Sequence, residues 1–378
     1  MYSQYHHYVN RALVNQLAPD VPMMAYGAKL PAVDWALRKT DGLLRRLGIY
    51  FSWREIWTIR HLRRTIAEFR PDVVNSHTIK SDYVAARALD EAGPPLIITM
   101  HGCYELFLHK ADAPEVTPKG YVALRKASAV VYLADKNMEI FRQPPLLGTF
   151  DKPLVQIYNG FDEHFSDQKL EHSRAALGIP AEAVVFGMVA RGIPEKGWAY
   201  VVASFLELGE QYPNCHLVLV GEGECLTQLQ LQYPHPRLHF IGFSPNPVDW
   251  IDIFDVGLLP SCYHAESLPN SIAEYLSCGK PVIASQVGEV PTMLETPQGL
   301  AGQLVELDTI HWRLPHPEQL TGAMRSYIQD GALLAEHKQR AIRAFGKFHM
   351  KRCVNAYKRL FNRACATVQS PQETPVTV

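Results

Sequence analysis

Glu266-Ser267-Leu268-Pro269-Asn270-Ser271-Ile272-Ala273-Glu274 follows the apolar run Val256-Gly257-Leu258-Leu259 and its exit Pro260-Ser261. The run has the length of a buried strand, and the segment after it has helical spacing. Pro269 suits a first helical turn, where its missing N–H costs nothing. The free N–H groups of that turn, with the helix dipole, form an anion site. Glu266 stands just before the helix and Glu274 lies in its second turn, at most about 12 Å apart if the intervening residues are helical. That reach spans a pyrophosphate with a carboxylate at each end accepting hydroxyls. Taken alone, each glutamate also fits a solvated surface carboxylate near a helix start.

The same strand-then-helix pattern runs outward in both directions. Val184–Val189, Leu217–Val220, His239–Ile241 and Pro281–Ala284 read as short strands, with a helix at about 198–211. Residues 318–330 and 332–363 read as helices. Upstream, Pro71–His77, Leu96–Met100, Val130–Leu133 and Leu154–Tyr158 repeat the pattern, with a helix from about Ser81 to Ala92. Apolar strands alternating with helices predict βαβ units and parallel sheets. Residues 161–180 are polar and rich in helix breakers, so the boundary between two such halves is expected there.

In an open parallel sheet, ligands bind beyond the carboxyl ends of the strands. That rule selects the loops to read. Arg191-Gly192-Ile193-Pro194-Glu195-Lys196-Gly197 places an Arg and a Lys on one glycine-bounded loop, where both can hold an anion. A solvated loop with a Glu195–Lys196 charge pair is the plain alternative. Gly221-Glu222-Gly223 opens like a dinucleotide fingerprint, but Leu226 occupies the third glycine position, so the nicotinamide or flavin reading is weak. A tight turn or close backbone approach to a nucleotide remains. Thr99-Met100-His101-Gly102 and Asn159-Gly160-Phe161-Asp162 also lie at strand ends. His101 can bind hydroxyls or phosphate, or act as acid or base. No H-E-x-x-H, D-x-D, G-x-S-x-G or P-loop pattern occurs, which argues against metal-chelating, serine-hydrolase and P-loop chemistries.

Bulk properties agree with a soluble protein of two domains. The chain has 378 residues, 47% hydrophobic and 20% charged, with a net charge of -1. That neutrality does not suit a dedicated nucleic-acid binder. Seven cysteines, an odd number without a C-x-x-C pair, fit a reducing cytosol better than a disulfide framework or zinc site. No apolar run nears a membrane span, and no signal peptide is expected.

The ordered set of motifs resembles the retaining, nucleotide-sugar-dependent glycosyltransferases of family 4, with the GT-B fold. The residues that carry it are Arg191 to Gly197, Leu217 to Gly223, Phe240-Ile241-Gly242, Asp255 to Ser261, Glu266 to Glu274, Gly279 to Ala284 and Gly288-Glu289-Val290-Pro291. The resemblance implies an α/β fold of two Rossmann-like parallel-sheet domains facing a central cleft. Residues 1–165 would bind the acceptor and 166–345 the nucleotide sugar. Residues 346–368 would form a helix crossing back, and 369–378 a flexible tail. Arg191 and Lys196 would hold the donor diphosphate, and Glu266 the hydroxyls of the transferred sugar. Glu274 would bind the ribose. Backbone at Leu268, Pro269 and Asn270 would cap the phosphates. The Gly221–Gly223 loop and Gly242-Phe243-Ser244 would meet the nucleotide, while His101 and Asn159 would line the sugar or acceptor site. No metal and no cofactor are implied. The implied partners are a nucleotide-diphosphate sugar and a saccharide or lipid-linked acceptor. A nucleotide-sugar epimerase, a catalytically impaired sugar-nucleotide-binding protein and a phosphorylase with pyridoxal on Lys280 are the other readings.

Family members open with a strand and a glycine-rich loop. This chain reads as helical almost from its start, over Tyr2–Leu17, so its N-terminal sheet is expected to lack the first strand. Residues 35–64 interleave Trp35, Leu43, Leu44, Leu47, Trp53 and Trp57 with Arg and Lys. The first 70 residues hold about eleven basic and about five acidic side chains. Ordinary packing of an amphipathic helix, an acceptor lid, and docking on an anionic membrane surface all fit that stretch.

Overall fold

The computed structural model describes residues 2–3, 24–25, 31–47, 52–102, 116–142, 150–163 and 174–369. Two parallel sheets organise them. The larger is six-stranded, in the order Gly302–Val305, Val282–Ser285, Val256–Leu259, Val184–Val189, Cys215–Val220, Leu238–Gly242. Numbered along this half of the chain, that is 6-5-4-1-2-3, the doubly wound arrangement. The strand order reverses between Val184–Val189 and Val256–Leu259, which pair at Val256 with Phe186 and Gly257 with Gly187. A crevice must open where the chains leaving these two strands diverge.

Tyr275 secures that switch point. It is fully buried on the helix Asn270–Ser277. Its hydroxyl accepts the Val189 N–H at 2.7 Å and donates to the Leu258 carbonyl at 3.3 Å. One phenol thereby joins the ends of both central strands, satisfying polar groups that would otherwise be stranded in the core.

The smaller sheet has four strands in sequential order: Val74–His77, Leu96–Met100, Ala129–Tyr132 and Leu154–Gln156. Helices Ile79–Ala88 and Val116–Lys126 cover one face, with Leu62 and Ile66 of the helix Trp53–Phe69. Against the other face, with Ile97, Val131 and Ile157, pack Tyr357, Leu360 and Phe361 of the last helix, Met350–Gln369.

Several details correct the sequence reading. The helix read over 332–363 is two, Gly331–Phe345 and Met350–Gln369. Between them the Phe348 carbonyl accepts from the Phe161 N–H at 2.7 Å, and the Met350 N–H donates to the Phe161 carbonyl at 2.9 Å. These tertiary bonds replace helical ones and redirect the chain onto the smaller sheet. The edge strand Gly302–Val305 was not read, since its four residues G-Q-L-V are too short and too polar for a buried-strand pattern. Tyr2 lies in a strand, not a helix: Tyr2–Ser3 pairs in parallel with Met24–Ala25, apart from the four-stranded sheet. The rest of the predicted helix 2–17 and the tail 370–378 lie outside the described residues.

Candidate active site

Both chains leaving the switch point carry the charged residues singled out above. After Val184–Val189 comes Arg191, and then the single turn Pro194–Lys196. After Val256–Leu259 comes Ser261, and then Glu266. The two loops are tied by the Cys262 N–H donating to the Glu195 carbonyl at 2.7 Å. This contact brings Lys196 and Glu266 into a salt bridge, both buried at 7% exposure. Ser261 Oγ donates to the same Glu266 oxygen at 2.9 Å. The plain reading of Glu266 as a solvated carboxylate is thereby excluded.

Tyr263 presents its ring to both cations. The Lys196 ammonium lies 5.3 Å from its ring centroid and the Arg191 guanidinium 5.5 Å. An aromatic face favours positive charge at that range, so Tyr263 helps hold two cations on one side of the crevice. Sequence reasoning passed over Tyr263 and Ser261, because neither belongs to a charged or glycine-rich pattern.

Pro269 is the residue before the helix rather than its first turn, with ψ of 117° and Asn270 as the first helical residue. Leu268 beside it is buried. Glu274 lies in the second turn as read, and burial raises its pKa. A carboxylate so placed favours a hydroxyl or proton as partner.

The glycines prove to serve the loops themselves. A Cβ on Gly223 would stand 2.3 Å from the Gly192 carbonyl oxygen, and one on Gly221 would stand 2.1 Å from that of Ala190. The Gly192 N–H donates to the Glu222 carbonyl at 2.8 Å. Two phosphate-loop candidates therefore pack backbone to backbone, which only glycine permits. Together with Phe243 they bound a cavity of about 830 Å³ that contains Arg191. Phe243 is 67% exposed, an unsheathed aromatic beside a concave site.

Three further predicted residues gather where the loops of the two sheets meet. A second cavity, of about 510 Å³, is lined by His101, Asn159 and Asn270, with His77 and Tyr357. Asn159 Nδ2 donates to Asn270 Oδ1 at 3.2 Å, joining the two sheets' loops. The structure thus places seven of the predicted residues on two cavities. Arg191, Gly221, Gly223 and Phe243 border one; His101, Asn159 and Asn270 border the other. The Lys196–Glu266 pair, Gly242, Leu268, Pro269 and Glu274 line neither.

The motif Gly288-Glu289-Val290-Pro291 has a structural use that its sequence did not reveal. Buried Glu289 accepts from Tyr158 Oη at 2.6 Å and from Gln156 Nε2 at 3.1 Å. Its other oxygen accepts from the Asp135 N–H at 3.3 Å. Burial and this carboxylate push the Tyr158 pKa upward. One residue between the strands Val282–Ser285 and Gly302–Val305 of the larger sheet therefore holds three positions of the smaller half. Lys280, by contrast, precedes the strand Val282–Ser285 at the end remote from the crevice, and donates to the Asp252 carbonyl at 2.7 Å. It offers no support for a pyridoxal site. Among the described residues no cluster of His, Cys, Asp and Glu could hold a metal ion.

Residues 25–165 match the family model described as Glycosyltransferase Family 4, and residues 183–330 match that described as Glycosyl transferases group 1. The chain is a family 4 glycosyltransferase. Among curated relatives of this glycosyltransferase is the 2-deoxystreptamine glucosyltransferase of Streptomyces kanamyceticus. It is 26% identical over 269 residues, 64% of this chain and 66% of that protein. The D-inositol 3-phosphate glycosyltransferase of Thermobispora bispora is 27% identical over 320 residues, 75% of this chain and 69% of its own length. The chain thus spans about two thirds of the length of these relatives. Among solved structures, Anabaena Alr3699/HepE in complex with UDP aligns at a TM-score of 0.69 and 22% identity, covering 93% of this chain and 89% of that one. The glycosyltransferase described here has the GT-B fold.

Proposed function

We propose that the protein transfers a sugar from a nucleotide-diphosphate donor to a saccharide or lipid-linked acceptor, with retention at the anomeric carbon. The product belongs to cell-surface polysaccharide, lipopolysaccharide or glycolipid synthesis. The observation that carries the reading is the convergence of Arg191, Lys196 and Glu266 at the strand-order switch point, beside the start of the helix Asn270–Ser277. Two cations and a helix N-terminus stabilise a diphosphate as negative charge builds on the leaving group. The Glu266 carboxylate accepts hydroxyls of the transferred sugar once the donor enters. Glu274 receives the ribose. The cavity between the Arg191–Gly192 and Gly221–Gly223 loops takes the nucleotide, with Phe243 against the base.

Residues 1–165 form the acceptor domain and 166–345 the donor domain, with 346–368 crossing back. A donor phosphate oxygen takes the acceptor proton on the face where the leaving group departs, so the reaction needs neither a protein base nor a metal. UDP-bound Alr3699/HepE supports a nucleotide donor. The name of the putative teichuronic acid biosynthesis glycosyltransferase TuaC of Bacillus subtilis, 26% identical over 236 residues, supports a polymer-building role.

The protein works in the cytoplasm, peripheral to the inner face of the membrane. No helix among the described residues is long and apolar enough to cross one. Trp35, Leu43, Trp53 and Trp57 on the helices Pro31–Arg46 and Trp53–Phe69, and Leu47 just after the first of them, are each more than 40% exposed. Apolar side chains set among arginines suit an anionic lipid surface better than internal packing.

The test is turnover of a panel of nucleotide sugars with the product's anomeric configuration read by proton NMR, with and without a chelator. Retention and indifference to the chelator support the reading. Inversion, a requirement for metal, or epimerised donor without transfer contradicts it.

A further inference from the structure

The cleft face of the smaller sheet carries a side-chain relay that the proposed reaction does not itself call for. It begins on the last helix, where Tyr357 Oη lies 3.2 Å from Thr99 Oγ1. Thr99 Oγ1 donates to Asn75 Oδ1 at 3.1 Å. Asn75 Nδ2 lies 3.2 Å from His77 Nε2, and His77 Nδ1 lies 2.7 Å from His101 Nε2. Thr99, Asn75, His77 and His101 come from neighbouring strand ends, and the two imidazoles stack at 5.0 Å between centroids.

The chemistry of the members gives this relay a direction. Thr99 has one hydroxyl proton and spends it on Asn75, so the Tyr357 hydroxyl donates to Thr99. An amide nitrogen only donates, so His77 Nε2 must accept and carry no proton. The His77 proton then sits on Nδ1 and is directed at His101 Nε2, which must likewise accept. His101 is left with its proton on Nδ1. Among the described residues that nitrogen has no hydrogen-bond partner, and its ring lines the cavity shared with Asn159 and Asn270. Burial lowers the pKa of both histidines, to about 4 for His77, in keeping with neutral rings.

We propose that His77 is a positioning residue that fixes His101 as the neutral Nδ1–H tautomer, a hydrogen-bond donor aimed at an oxygen of the bound substrate. The Asn75 amide sets this polarity, and Tyr357 of the last helix completes it by donating to Thr99. A ring locked as donor discriminates for an acceptor oxygen, such as a sugar hydroxyl or phosphate oxygen, and cannot serve as a base through its free nitrogen. The inference rests on the donor-site reading for its purpose, but the tautomer is a property of the free protein.

The experiment is a long-range proton–nitrogen NMR spectrum of the intact protein with nitrogen-15 histidine. Signals are assigned by their loss in His101→Gln and His77→Asn. The expected result is a His101 ring protonated on Nδ1 and not on Nε2 at neutral pH. A ring protonated on Nε2, or averaging between tautomers, overturns the proposal whether or not any donor binds. Kinetics add a second readout. His77→Leu is expected to lower kcat/KM for donor turnover by about tenfold to a hundredfold through lost orientation. His77→Asn, which returns an N–H near the Nδ1 position, is expected to recover most of that loss. Equal losses in both variants would also overturn it.

Discussion

Lys196 and Glu266 form a buried ion pair although seventy residues separate them along the chain, because each follows one of the two strands that flank the reversal in strand order. The donor's diphosphate and sugar are therefore proposed to replace contacts already arranged between opposite charges. A pair kept out of water is held in shape by its neighbours, here Ser261 and Tyr263.

Removing one member leaves the other charge buried and alone. Lys196→Met is expected to destabilise the protein by about 3–5 kcal/mol. The double variant Lys196→Met with Glu266→Leu should lose less than Lys196→Met alone. Urea denaturation of the single and double variants measures this. Additive losses would mean that the two side chains do not depend on each other.

Phe243 tests the nucleotide end. Stacking of a base on an aromatic ring contributes about 1–3 kcal/mol. Phe243→Ala should therefore weaken binding of the donor's free nucleotide diphosphate by about tenfold to a hundredfold, read by calorimetric titration. Its exposure means that stability should hardly change. Undiminished affinity would move the base elsewhere.

The loop pair has its own prediction. Gly223 combines φ of 149° with a carbonyl where a Cβ would go. Gly223→Ala should cost about 1–3 kcal/mol in strain. It should also lower donor turnover by displacing Arg191 through Gly192. A variant as stable and active as the parent would contradict the backbone contact.

The pH dependence follows from buried histidines. Burial, and then the neighbouring His101, lowers the His77 pKa from 6.5 to about 4; burial, and then His239, does the same for His216. Between these values the unfolded chain binds protons that the folded protein does not. The stability these groups contribute is thus present above about pH 6.5 and is lost as pH falls towards 4. Glu274, raised by burial, acts in the opposite sense. Melting temperature should fall over that acid range, and His216→Gln should make the fall shallower. A melting temperature that rises on acidification would contradict the assignment.

Much of this architecture was legible from sequence because parallel strands buried on both faces are continuous apolar runs, and ligands gather at their carboxyl ends. Arg191, Lys196 and Glu266 could be selected on that rule. Their mutual pairing could not, since it depends on how two loops approach. The relay through Asn75, His77 and Thr99 was hidden for the same reason: each residue is ordinary alone, and only strand register joins them. Glu289 lay within a recognised motif, yet its three partners come from the other half of the chain. Glycine was the converse case. Gly221 and Gly223 suggested approach to a ligand, and their backbone is pressed against a neighbouring loop. The exposed tryptophans of the first helices inverted the usual expectation, because periodicity shows that a face is apolar and not what covers it.

Glu266, paired with Lys196 at the switch point, is proposed to hold the sugar of a nucleotide-sugar donor. The most direct test is release of nucleotide diphosphate from a panel of nucleotide sugars by the parent protein and by Glu266→Ala. Slow hydrolysis of at least one donor by the parent is expected, with a loss of about a hundredfold or more in the variant. Failure of every donor to bind, or equal turnover by the two proteins, would contradict it.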